Sequence, residues 1–168
     1  MMPRIDQFSS LLAATLFSLA AVASPASAQS EVRGPSFDFF GARVQSTDGD
    51  DFHTESYGVR GGFRFNRVWA LEGSLSRIKD TDAWFGDVSA KAYFLHANRF
   101  EMYAVASPGL FRVSGENPQL TLHAGLGAEI GLTERVYLRP EVRGRWLAKE
   151  LRGDNGLVDY SLGLGWRF

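Results

Sequence analysis

Residues Tyr160–Phe168 read YSLGLGWRF, and the chain given ends on that aromatic. Tyr160, Leu162, Leu164, Trp166 and Phe168 share one parity, and Ser161, Gly163, Gly165 and Arg167 the other. Strict alternation of this kind marks a strand with one apolar and one polar face. A fraying terminus has no reason to keep it, so the apolar face must rest against something apolar.

The same period recurs upstream. Phe37–Ser46, Ser56–Asn66, Val68–Ile78, Trp84–Leu95, Phe100–Ser114, Gln119–Leu132, Val136–Ala148 and Leu157–Phe168 all fail helical phasing. The clearest is YGVRGGFRF, where Tyr57, Val59, Phe63 and Phe65 oppose Arg60 and Arg64. Eight antiparallel strands predict an all-β, up-and-down barrel. Pro108 and Pro140 lie inside two of these strands, where each removes a ladder bond, so a bulge or kink is expected at both. The connections STDGDDFHTE, KDTDA, SGENPQ and KELRGDNG are longer and charged or Gly/Asn-rich, whereas NR, HANR and TER are short.

Alternation does not say which face points outward, because a soluble lipid-carrying barrel alternates too. Three features decide for a membrane wall. The four tryptophans lie on the uncharged parity and near strand ends. Trp84 and Trp146, with Tyr57, Phe111 and Tyr160, form a band toward the long connections; Trp69 and Trp166, with Phe65, Phe94 and Phe168, form one toward the short turns. Val59, Leu71, Leu75, Val88, Ala90, Val105, Leu126, Val142 and Leu162 fall between them, as expected of an aliphatic belt flanked by two aromatic girdles.

The opposite parity mixes ions with glycine, as a crowded eight-stranded interior requires. It holds Arg60, Arg64, Glu72, Lys91, His123, Glu129, Arg139, Glu141, Arg143 and Arg145. Both signs are present, so the charges are expected to pair inside. Turned outward, they would cost about 2–4 kcal/mol each near the bilayer midplane.

The N-terminal stretch carries Arg4, an apolar run of about a dozen residues from Leu11, and then Ala26-Ser27-Ala28, the layout of a secretory signal. The run is shorter than the roughly 20 residues of a spanning helix. Cleavage is expected after Ala28, which makes residues 1–28 a signal peptide and residues 29–168 one barrel domain. The net charge of -1 points to neither nucleic acid nor an anionic surface. With no cysteine, an exported chain of this size needs another source of stability, and closure of the sheet supplies it.

DVSAKAYF, GLGAEIGLTERVYLRPEVRGRW and SLGLGWRF together resemble the small OmpA/OmpX-type outer-membrane barrels, the outer-membrane beta-barrel domain family. The resemblance spans essentially the whole mature chain. It implies residence in the outer membrane of a Gram-negative bacterium, among outer-membrane lipids and lipopolysaccharide, with periplasmic termini and a monomeric state. Ser161, Gly163, Trp166 and Phe168 resemble the terminal signal read by the barrel assembly machinery. The peptidoglycan-binding domain of OmpA has no counterpart in the sequence.

Three functions are weighed. A structural or surface-interaction barrel, binding an extracellular ligand through its loops, ranks first, because so narrow an interior fills with its own side chains. A small anion-preferring pore would use Arg60, Arg64, Arg112, Arg139, Arg143 and Arg145. An outer-membrane lipid hydrolase of the lipid A deacylase kind carries His and Ser two residues apart with a Glu nearby, a pattern this chain does not resemble, since His123 is followed by Ala124 and Gly125. His53 sits in an acidic loop and His96 in a short turn. No enzyme activity and no cofactor are expected. Asp48, Asp50, Asp51 and Glu55 gather acid in one loop without the ordered spacing of a calcium loop. Lys79, Lys149 and Arg152 are placed to meet lipopolysaccharide phosphates.

Overall fold

The computed structural model describes residues 34–46, 53–79, 81–115, 117–147 and 156–168. The signal peptide, Asp48, Asp50, Asp51, Lys149 and Arg152 lie outside them.

Eight strands follow one another: β1 (Gly34–Ser46), β2 (His53–Arg64), β3 (Trp69–Ile78), β4 (Ala83–Ala97), β5 (Phe100–Val113), β6 (Gln119–Gly131), β7 (Val136–Leu147) and β8 (Gly156–Arg167). Each pairs antiparallel with its neighbours, and β1 pairs with β8, so the sheet is a closed barrel with no free edge. The expected architecture is present. At about 3.3 Å per residue, a 12-residue strand such as β8 spans roughly 40 Å. Tilted near 45°, it crosses about 28 Å, the thickness of a hydrocarbon core.

The outward face is apolar and exposed, from Phe39 and Tyr57 through Leu71, Leu75, Val88, Leu126 and Leu162 to Trp166 and Phe168. The inward face packs two tyrosine rings over cross-strand glycines. Tyr103 lies opposite Gly127 and Tyr137 opposite Gly165. A Cβ on either glycine would run into the tyrosine ring.

β5 departs from expectation. Val105 is buried in the interior with Tyr93 and Tyr103 rather than facing lipid. Phe111 turns inward as well and stacks on Phe85, with ring centroids 4.6 Å apart. Arg112 therefore points outward and is exposed, so it does not line the lumen. Both parities of FEMYAVASPGLFRV are apolar, so periodicity alone leaves this strand's orientation undetermined.

The prolines produce neither bulge nor kink in register. Asp87↔Gly109 and Ala90↔Ala106 keep one offset across the unpaired Ser107 and Pro108. Gly127↔Glu141 and Ile130↔Leu138 do the same across Arg139 and Pro140. The missing N–H costs rungs locally while the register holds. The irregularity lies instead in β4, between Tyr93 and Leu95. There Phe94 and Leu95 both face outward, which turns His96 toward the mouth of the barrel as part of β4 rather than of a turn.

The three short turns are each closed by a polar residue. Asn66 Oδ1 accepts the amides of Val68 and Trp69, each at 2.8 Å. Asn98 takes φ 48°, a left-handed value that asparagine tolerates. Thr133 Oγ1 accepts the amides of Arg135 and Val136. At Asn66 and Thr133 a short polar side chain folds back on the backbone and closes the turn; at Asn98 the left-handed backbone does so.

Candidate functional site

The lumen holds the chain's densest chemistry. Arg139, on β7, is fully buried. Its guanidinium donates to Asp38 on β1 at 2.5 Å, to Glu72 on β3 at 2.6 and 2.8 Å, and to Glu141 at 3.2 Å. Its Nε donates to Tyr103 Oη at 2.7 Å, and that hydroxyl donates to Glu141 at 2.6 Å. Four strands thus meet on one side chain, whose planar fork suits several carboxylates at once.

Toward the short turns, Lys91 bridges Glu72 at 2.7 Å and Glu129 at 3.5 Å. Tyr93 donates to Glu129 at 2.7 Å. At the mouth, Arg64 grips Glu101 through two bonds, 2.8 and 3.0 Å, and stacks on Tyr93. Arg167 joins Glu101 at 3.1 Å and Glu129 at 2.5 Å.

Toward the long connections, Arg143 donates to Glu141 at 2.6 Å, and Arg60 lies 3.3 Å from the same carboxylate. Arg145 holds Asp159 at 2.7 Å and lies over the Phe85 ring at 3.7 Å. Beyond them Ile78, Ala83 and Phe85, packed against Phe111 and Val113, form an apolar cap.

All nine residues singled out for the lumen network (Arg60, Arg64, Glu72, Lys91, Glu129, Arg139, Glu141, Arg143 and Arg145) lie inside and within ion-pair distance of an opposite charge. Asp87, which alternation already puts on the polar parity, joins them inside, and the structure adds Asp38, Glu101, Asp159 and Arg167. Asp38 was legible, being the polar residue between Phe37 and Phe39. With these additions the basic lumen residues are Arg60, Arg64, Lys91, Arg139, Arg143, Arg145 and Arg167. The acidic ones are Asp38, Glu72, Asp87, Glu101, Glu129, Glu141 and Asp159. Among the described residues seven faces seven, so the lining is balanced rather than net positive. Among the described residues the lumen includes small cavities of about 30 and 20 Å³, each room for about one water.

His123 is buried with Thr121 Oγ1 at 2.9 Å and Asp87 Oδ1 at 3.3 Å. Thr121 precedes the histidine by two residues, a neighbour that a search for serine two residues on does not reveal. Both contacts fall on Nε2, and Nδ1 has no partner. A relay needs the hydroxyl on one ring nitrogen and the orienting carboxylate on the other, so this trio is packing. His96 lies 2.9 Å from the Arg67 carbonyl and 3.6 Å from Glu101 at the mouth.

Of the terminal residues, Trp166 and Phe168 face outward, Gly163 faces inward, and Ser161 accepts a hydrogen bond from Arg60 at 3.0 Å. At the opposite rim Glu55 lies in β2, opposite Arg43 of β1, rather than in the loop, and Lys79 is paired with it at 2.8 Å.

A closed barrel with an outward aliphatic belt and a neutral interior is the geometry of an outer-membrane protein, and the sequence agrees. The outer membrane protein beta-barrel domain model matches residues 9–168. The chain belongs to that family. This places it in the outer membrane of a Gram-negative cell, among lipid and lipopolysaccharide. No curated protein sequence matches it. Among solved structures it is similar to the N-terminal barrel domain of Pseudomonas aeruginosa OprF, at 15% identity over 81% of this chain and 99% of that one, TM-score 0.64. Neisserial surface protein A is similar at 18% identity over 83% and 100%, TM-score 0.58. Yersinia pestis Ail, the attachment invasion locus protein, is similar at 17% identity over 80% and 99%, TM-score 0.57. Ail has also been solved with the heparin analogue sucrose octasulfate. At these identities the likeness concerns the fold.

Proposed function

We propose that this outer-membrane barrel is a structural and surface-interaction protein whose interior serves stability and whose long loops make its contacts. The observation that carries the reading is the filled, charge-balanced lumen: fourteen ionic side chains neutralise one another and leave cavities of single-water size. Such an interior offers a solute neither passage nor a seat. No catalytic role is assigned to its residues.

In this reading residues 1–28 are removed on export, and both termini and the three short turns face the periplasm. The long connections face outward, and the barrel works as a monomer. Ser161, Gly163, Trp166 and Phe168 serve the barrel assembly machinery. The acidic stretch Asp48, Asp50, Asp51 and Glu55 belongs to the contact surface. Binding of a heparin analogue by Ail makes polyanions one class of ligand to try, although this stretch would repel them.

The deciding experiment compares intact cells bearing the wild type with cells in which Asp48, Asp50, Asp51 and Glu55 are changed to Asn or Gln. Both are screened against sulfated polysaccharides and matrix proteins. Binding that changes with the substitutions, at unchanged surface level, supports the reading. Large, stable, anion-selective openings of the purified barrel in planar bilayers would replace it with the pore.

A further inference from the structure

The three short turns share a feature that the lumen does not explain. The residue that closes each turn, Asn66, Asn98 or Thr133, is followed within two positions by an exposed arginine: Arg67, Arg99 and Arg135. In each case the arginine's backbone is tied down. The carbonyl of Arg67 accepts from Arg64 at 2.7 Å, that of Arg99 from the Gly131 amide at 2.6 Å, and that of Arg135 from the Arg167 amide at 2.8 Å. The guanidinium groups are not tied down. Those of Arg67 and Arg135 have no side-chain partner among the described residues, and that of Arg99 makes one long 3.4 Å contact with the Leu132 carbonyl. Glu134 is the lone exposed acid in these turns.

Anchored backbone with free guanidinium is an arrangement for a ligand outside the protein. The turns alternate with the long connections, so the three arginines are spread around one rim. They adjoin the aromatic girdle of Phe65, Trp69, Phe94, Trp166 and Phe168. An aromatic girdle marks headgroup depth, and a guanidinium there meets phosphate oxygens, which its fork matches. The geometry points to Arg67, Arg99 and Arg135 as a ring that gathers anionic phospholipid headgroups of the inner leaflet around the barrel. This rests on the proposed periplasmic orientation of the short turns.

The four tryptophans provide the test, since two report on each end. One variant keeps Trp69 and Trp166 (Trp84→Phe, Trp146→Phe), and the other keeps Trp84 and Trp146. Each is refolded into phosphatidylcholine bilayers containing either brominated phosphatidylglycerol or brominated phosphatidylcholine, and quenching is compared. Near an anionic surface each arginine is worth on the order of fivefold in local enrichment. Averaged over the quenching shell, the turn-end pair should be quenched about twofold more by the anionic lipid. The preference should fade at high salt. Arg67→Gln, Arg99→Gln and Arg135→Gln combined should abolish it, while any selectivity at Trp84 and Trp146 persists. Heat-dependent gel mobility confirms that the triple variant is folded.

Equal quenching in the unaltered turns, or a preference that survives the triple substitution, overturns the lipid ring. Orientation is read separately. The chain has no cysteine, so Glu134→Cys is a unique site for a membrane-impermeant maleimide. Resistance to labelling in intact cells supports the inner-leaflet assignment. Labelling would overturn the orientation reading and move the ring to the outer leaflet, whatever the quenching shows.

Discussion

Replacing Arg139 with methionine removes the one side chain that touches Asp38, Glu72 and Glu141 at once. The three carboxylates are not left equally bare. Glu72 keeps Lys91 at 2.7 Å, and Glu141 keeps Arg143 at 2.6 Å. Among the described residues Asp38 keeps only Arg60, at 3.8 Å and too long for a hydrogen bond. The substitution therefore strands essentially one buried carboxylate, and removing one partner of a buried pair costs about 3–5 kcal/mol. With a urea slope of about 2 kcal/mol per molar, the unfolding midpoint should fall by roughly 2 M. The assay is equilibrium unfolding in detergent micelles, followed by tryptophan emission and by gel mobility.

Two further variants make the test specific. Arg77→Met breaks an exposed pair with Asp82 and should cost less than about 1 kcal/mol. Asp38→Asn, added to Arg139→Met, removes the stranded charge and should restore more than half of the loss. A midpoint for Arg139→Met no lower than that for Arg77→Met would refute a filled, ion-paired interior. A double variant no better than the single one would show that Asp38 is not the group left unpaired.

Gly127→Ala places a methyl against the Tyr103 ring and should destabilise by about 1–3 kcal/mol in the same assay. Gly61→Ala, where an added Cβ meets nothing within 4 Å, should be neutral or slightly stabilising. Deleting Phe168 should slow assembly in cells, measured as delayed appearance of the heat-modifiable band, because it removes the last aromatic of the girdle. Unchanged kinetics would withdraw that role from it. His123→Ala should leave lipid A and phospholipid profiles of producing cells unaltered, since both close contacts of the ring share Nε2; a deacylated lipid that vanishes with the substitution would mean the histidine is a base after all.

The barrel, its strand order and the outward belt were legible because they depend on local alternation, which each strand carries by itself. The parity of β5 was not. Met102, Ala104, Ala106 and Leu110 are as apolar as Tyr103, Val105 and Phe111, so no local contrast separates lipid from lumen. What fixes the face is Tyr103, whose hydroxyl reaches Glu141 and whose ring covers Gly127. Those partners lie on other strands and become visible only once the sheet has closed. The same limit applies to charge. Glu72 and Arg139 could each be assigned to the interior from alternation, but their contact crosses the lumen and depends on the tilt and stagger of strands far apart in sequence. The balance of charge was missed for a simpler reason. Asp38, Glu101, Asp159 and Arg167 each stand as one ion in a largely apolar or glycine-rich strand segment, without the clustering that makes Arg139–Arg145 conspicuous.

Arg167 links two properties that the sequence presents separately. Its neighbours Trp166 and Phe168 face lipid, while its own guanidinium crosses to Glu101 on β5 and Glu129 on β6. Its amide is held by Arg135 of the β6–β7 turn, and β8 closes the sheet on β1. Before β8 docks, Glu101 has Arg64, and Glu129 has the Tyr93 hydroxyl at 2.7 Å and the longer Lys91 contact, which Lys91 divides with Glu72. The mouth then lacks one cation, and a carboxylate kept from water without a close cationic partner is costly. Docking β8 supplies that cation in the same step that pairs the last edge. β8 also brings Asp159 to Arg145, so sheet closure completes ion pairs at both ends of the lumen, and an open barrel is disfavoured both by its unpaired backbone and by its unpaired charges.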